Sequence, residues 1–148
     1  MLLDLAPGAL VRVDGYPYAV EEAWSFFETE MRLDLLRLVG PSPAHERWLA
    51  AWQDDAYLML LQRLHADWLS PPAATVAHDG EIFVSLARGS AFRTRRTRQA
   101  RAKAKDGRFE FALFRANSGR VLLTVAHNEE LQAWIGETLP MGAIALPE

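Results

Sequence analysis

Two stretches decide the fold: Val11-Arg12-Val13-Asp14-Gly15-Tyr16-Pro17-Tyr18 and Val76-Ala77-His78-Asp79-Gly80-Glu81-Ile82-Phe83. In each, alternating apolar residues flank an Asp-Gly dipeptide. Asp-Gly between alternating hydrophobics is a strong short-range hairpin signal, because the tight turn needs positive φ at both central residues. Later segments echo each other in the same order. Arg32-Leu33-Asp34-Leu35 resembles Arg108-Phe109-Glu110-Phe111, and Arg47-Trp48-Leu49 resembles Arg120-Val121-Leu122. The pattern predicts an internal repeat, roughly residues 10–69 and 73–144, with two similar β-rich halves on one core. The expected fold is mainly β, with α+β as the alternative, and barrel-like or sandwich-like.

Chain length favours one domain over residues 1–148. Each half alone would bury little, so a shared core is expected. Five Trp and seven Phe supply large apolar side chains for it. Cysteine is absent, which excludes disulfides, thiolate metal sites and cysteine nucleophiles. The start, MLLDLAPGAL, has neither a basic leader nor a long apolar stretch. The longest purely apolar run, Ala56 to Leu61, is far shorter than the roughly 18 residues of a membrane helix. A cytoplasmic protein is expected.

Most segments read as strands between clear breaks. Pro17 offers no ladder donor, so its strand belongs at an edge or begins regular pairing after it. Met31 to Leu38 alternates before a denser apolar run, and Gly40-Pro41-Ser42-Pro43 breaks the chain. Residues 44–65 are ambiguous. Their composition suits a helix, but the partner segment Arg120-Val121-Leu122-Leu123-Thr124-Val125 has β-branched residues and follows the turn Asn117-Ser118-Gly119. The repeat therefore favours a strand at Arg47–Trp52 with a turn at Asp54-Asp55. Ser70-Pro71-Pro72 divides the halves. Trp24, Phe26 and Phe27 are expected in an inter-strand loop as an exposed aromatic patch, and residues 87–90 as a loop. Residues 143–146 are expected to complete the sheet.

The elements together resemble the bacterial domain of unknown function numbered 4178. The resemblance rests on LAPGALVRVDGYPYAV, RLDLLRL, RWLAAW, VAHDGEIFVSLARGSA and GRFEFALFRANSGRVLLTVAHNEELQAWIGETL. It covers nearly the whole chain and implies two linked β-rich units. It brings no catalytic residues to transfer.

No reaction is legible. His45, His65, His78 and His127 lack the spacing of a metal site, and sequential His78 and Asp79 on a strand would face opposite ways. Gly89-Ser90 lies outside any G-x-S-x-G elbow. Adjacent acids such as Glu21-Glu22, Asp54-Asp55 and Glu129-Glu130 are most simply solvated turn residues. No catalytic residue, metal or cofactor is assigned.

Charge gives the sharpest signal. Between Arg93 and Arg108 stand eight basic residues and one acid, a net +7; the remainder has eight basic and 18 acidic residues, a net −10. Arg93, Arg95, Arg96, Arg98, Arg101, Lys103, Lys105 and Arg108 are the candidate polyanion-binding residues. Alternation of Arg101, Lys103 and Lys105 with alanines suits a strand with one cationic face. Phe92 is the segment's one aromatic, which argues against a base-stacking platform. The expectation is a non-catalytic binding or interaction module, with an unknown protein partner or homo-oligomer. Nucleic acid or an anionic surface is the alternative ligand, and a small hydrolase or metal enzyme the least favoured reading. The basic segment itself is expected to be an exposed, projecting hairpin or loop.

Overall fold

A computed structural model describes residues 5–28, 31–42, 46–52, 57–65, 74–96, 102–127 and 130–146. Its elements are β1 (Leu10–Val13), β2 (Tyr16–Glu28), β3 (Met31–Val39), β4 (Glu46–Trp52), β5 (Tyr57–Leu64), β6 (Thr75–His78), β7 (Glu81–Arg96), β8 (Ala102–Arg115), β9 (Arg120–His127), β10 (Glu130–Leu139) and β11 (Ile144–Ala145). A 3₁₀ turn at Met141–Ala143 precedes β11. The fold is mainly β, as the alternating patterns require. The expected turn at Asp54-Asp55 and the Ser70-Pro71-Pro72 boundary lie outside the described residues.

All pairings are antiparallel, in the order β11-β1-β2-β3-β4-β5-β10-β9-β8-β7-β6. Two runs of consecutive strands thus extend outward from a central β5–β10 pair. There Leu61 lies opposite Gly136. The far end of β2 also pairs with β7, from Trp24↔Arg95 to Phe27↔Phe92. Eight strands, β2 round to β7, therefore encircle the largest core cluster. The sheet as a whole stays open, with β11 and β6 at its edges.

The Asp-Gly turns set the two outer hairpins. Asp14 and Gly15 have φ of 50° and 80°; Asp79 and Gly80 have 53° and 79°. Positive φ at both positions matches the right-handed twist of the flanking strands, and glycine adopts it without a Cβ clash. Tyr18 and Phe83, beyond the turns, are both buried. Pro17 pairs with Arg12 of β1, while β2–β3 pairing starts only at Ala19↔Val39. Its missing N–H thus falls where β2 has no second neighbour.

Glu46–Trp52 and Tyr57–Leu64 are strands, and their helix-like composition has a simple cause. Both faces of the first strands are covered. Leu33 and Leu35 face the encircled core, with Trp48, Ala50, Met59 and Leu61. Leu36 and Leu38 face the other way, against Val11, Val13, Tyr18, Leu49 and Leu58. Strands buried on both sides lose clean alternation and read as continuous apolar runs. A smaller cluster, with Phe83, Phe114, Leu122 and Ile135, lies under β6 and the start of β7.

Two expected loops are strand. Trp24, Phe26 and Phe27 lie within β2, and Trp24 and Phe26 are buried core residues; only Phe27 is exposed. Ala87 to Ser90 lies within β7. In both strands a bulge shifts the phase, between Val20 and Glu22 and between Ser85 and Ala87. The extra residue at a bulge breaks the period of two, so one long strand reads as two short ones.

Candidate functional site

The basic segment is built into the sheet. β7 and β8 form a long hairpin, paired from Val84↔Arg115 out to Arg96↔Ala102. Arg93, Arg95 and Arg96 belong to β7, and Lys103, Lys105 and Arg108 to β8. Arg98 and Arg101 lie outside the described residues. Lys105 neighbours Thr94, and Arg108 neighbours Phe92. On the other side, Arg93 is registered with Phe26 and Arg95 with Trp24 of β2. The expected hairpin is present, but the expectation that it projects from the sheet needs correcting at residues 93–95. They are an inner strand between β2 and β8, because β2 is long enough to reach them.

Arg108 lies part-way along the hairpin, opposite Phe92. Its Nε donates to Ser90 Oγ at 3.0 Å, and its side chain is exposed. Its carbonyl oxygen lies 3.0 Å from His127 Nδ1. His127 stacks on Phe109, with ring centroids 4.1 Å apart and planes 14° from parallel. A cavity of about 240 Å³ beside it is lined by Ser90, Arg108, Glu110 and Ala126. Ser90 Oγ is thus an acceptor for an arginine, with the Glu110 carboxylate also on the cavity wall.

The other histidines do not join His127. His65 follows β5, His78 ends β6 beside the Asp79 turn, and His45 lies outside the described residues. Among the described residues, no three His, Asp or Glu side chains gather as metal ligands. No helix among them is long and apolar enough to cross a membrane.

Three polar constellations were not legible from sequence. The first surrounds Asp34, which is fully buried. Ser25 Oγ donates to its Oδ1 at 2.7 Å, and Arg32 Nε to its Oδ2 at 3.0 Å. Ser25 and Asp34 are directly opposite on β2 and β3. A buried carboxylate is tolerable only when paired and hydrogen-bonded in this way.

The second lies at one end of the encircled core. Arg37 bridges Glu22 at 3.3 Å and Glu46 at 3.2 Å. The Arg37 hydrogen bond holds the Glu46 carboxyl below its usual range, against the effect of burial. Arg63 lies 5.3 Å from the ring centre of Trp134, a cation–π contact. Trp134 in turn meets Trp48 edge-to-face at 5.4 Å. These charges share the strand phase of the core aromatics and close its end with polar groups.

The third straddles the β5–β10 joint, where a cavity of about 260 Å³ opens. Asp14, Arg47, Gln62, Arg120, Gly136 and Glu137 line it, with apolar residues between. Arg120 is already engaged: its NH1 lies 2.8 Å from Glu81 Oε2 and 3.8 Å from Asp79 Oδ2. The Glu81 carboxyl is held low, first by Ser118 and then by Arg120. Arg47 donates to the Glu46 carbonyl oxygen at 2.8 Å. The only sequence signal for this site was the echo of Arg47-Trp48-Leu49 in Arg120-Val121-Leu122.

Comparison with curated proteins and with solved structures yields no match. A family model does match, from residue 6 to residue 141, and so takes in β1 through β10. That span is most of the chain, and it shows the protein to be a member of the domain-of-unknown-function family DUF4178.

Proposed function

We propose that this chain is a non-catalytic binding module whose basic β7–β8 hairpin engages the phosphates of a nucleic acid. One observation carries the reading: six of the eight cations belong to two paired strands, and β2 runs beside Arg93 and Arg95. Fixed strands present charge at a repeating spacing and lose little freedom on binding, which is the advantage of preorganisation. The strongly acidic remainder repels a polyanion elsewhere and orients it on the hairpin.

The test is fluorescence anisotropy with duplex DNA and RNA at two salt concentrations. If four of the cations reach phosphates, log K should fall by about 3.6 per tenfold rise in salt. Replacing Arg95, Arg96, Arg98 and Arg101 by Ser should abolish binding. Absence of binding at low salt rejects the reading. Binding to anionic vesicles but not to nucleic acid moves the ligand to a membrane surface.

A second reading, contact with another protein chain, is favoured by β7 itself. Ile82, Val84 and Leu86 alternate along it and are exposed by 64%, 54% and 52%. An apolar stripe of this kind commonly marks an interaction surface. Light scattering of the wild type and of Val84→Lys tests whether it holds a second copy.

A further inference from the structure

The geometry points to a small-molecule site at the β5–β10 joint, shaped for a basic amino acid such as lysine or arginine. It is separate from the hairpin. The cavity of about 260 Å³ lies on the outer face of the joint, between the Asp14 turn and the first residues of β4 and β9. Such a volume is small for a drug-sized ligand and suits about ten heavy atoms.

Its charges are unequally engaged. Arg120 is held by Glu81, as described above. Arg47 occupies the matching place at the start of β4, but Tyr16 stands after the Asp14-Gly15 turn where Glu81 follows Asp79-Gly80. Among the described residues no carboxylate lies within ion-pair distance of Arg47; its one hydrogen bond goes to a backbone carbonyl. Asp14 and Glu137 likewise have no cationic partner among the described residues. One guanidinium and two carboxylates without an ion-pair partner among the described residues therefore line one cavity.

That set complements a molecule with one carboxylate and two cationic nitrogens. The guanidinium can take the carboxylate through two parallel N–H donors. Asp14 and Glu137 meet the two cationic groups, the Gln62 amide adds a polar contact, and Leu60, Leu61 and Ile135 pack on the aliphatic stem. Gly136 lets β10 sit close against β5 beneath the cavity, since a Cβ there would strike the Leu60 backbone.

The experiment is an NMR titration of the whole chain with L-lysine, L-arginine, lysinamide and acetate. L-lysine or L-arginine should give saturable shifts centred on Gln62, Ile135 and Glu137. Lysinamide, lacking the carboxylate, and acetate, lacking both cations, should each bind at least tenfold more weakly. Arg47→Gln and Glu137→Gln should each weaken L-lysine binding at least tenfold, with unchanged circular dichroism. The site is refuted by linear, unsaturable shifts or by shifts centred elsewhere. It is also refuted if acetate binds as well as lysine, or if both variants bind normally. Because no hairpin residue lines this cavity, the four-serine hairpin variant should bind L-lysine unchanged.

Discussion

Gly136 offers the most direct probe of how the two runs of strands are joined. It sits opposite Leu61 in the β5–β10 ladder. A Cβ added there would overlap the Leu60 carbonyl oxygen and come within 2.8 Å of Leu61 Cα and 2.9 Å of Leu60 C. All three are backbone atoms, so no side chain can swing aside, and β10 must shift. Overpacking of this kind costs about 1–3 kcal/mol. Displacing the strand weakens one or two ladder hydrogen bonds, at about 1 kcal/mol each. Gly136→Ala should therefore destabilise the fold by about 3 kcal/mol, a large share of the roughly 5–15 kcal/mol typical of a domain. In thermal unfolding that corresponds to a fall of roughly 6–12 °C for a chain of this size. Gly142 is the control, since a Cβ there meets nothing within 4 Å and its φ is not in the left-handed region. Urea denaturation of both variants, with the slope checked for constancy, separates the two. If Gly136→Ala is as stable as Gly142→Ala, β10 is not seated on β5 as described, and the reasoning fails.

Asp34→Ala should cost about 2 kcal/mol by urea denaturation, because it leaves the buried Ser25 hydroxyl without its acceptor. A loss below about 0.5 kcal/mol would contradict the buried network. Gly80→Val should destabilise by at least about 1 kcal/mol, since valine is strained at φ 79°; equal stability would argue against the turn. Arg37→Gln tests the Glu46 pair through pH. A carboxylate whose folded pKa is depressed below the model value of 4.5 adds stability above that pH, and the contribution is lost as pH falls through the folded value. The stability gap between wild type and Arg37→Gln should thus be present at neutral pH and narrow in acid. A gap that widens in acid would reverse the assignment.

The Asp-Gly pairs were legible because they dictate backbone angles locally, and Tyr18 and Phe83 follow from them by alternation. The strand character of β4 was legible only through its likeness to β9, whose β-branched residues state it openly. The full lengths of β2 and β7 were not legible. Bulges reverse the face of every later residue, so Trp24 and Phe26 looked like a loop. The polar clusters were hidden for a different reason. Glu22, Arg37, Glu46 and Arg63 are scattered along the chain and meet only through registers that no local pattern reveals. The eight cations were plain from composition, but not that β2 runs beside Arg93 and Arg95.

The mirror order of the strands also has a kinetic consequence. Most pairings join consecutive strands and can form as soon as each hairpin is made. The β5–β10, β2–β7 and β1–β11 pairings cannot. Leu64 must find Ala133, Phe26 must find Arg93, and Arg12 must find Ala145. Closing such long loops before any contact rewards them places β-rich domains among the slower folders, on a scale of milliseconds to seconds. During that interval the early strands wait with Leu58, Leu60 and Leu61 of β5 at an unpaired edge. An apolar edge of that kind invites pairing with another unfinished chain. Refolding yield should therefore fall with protein concentration well before the native protein shows any tendency to aggregate.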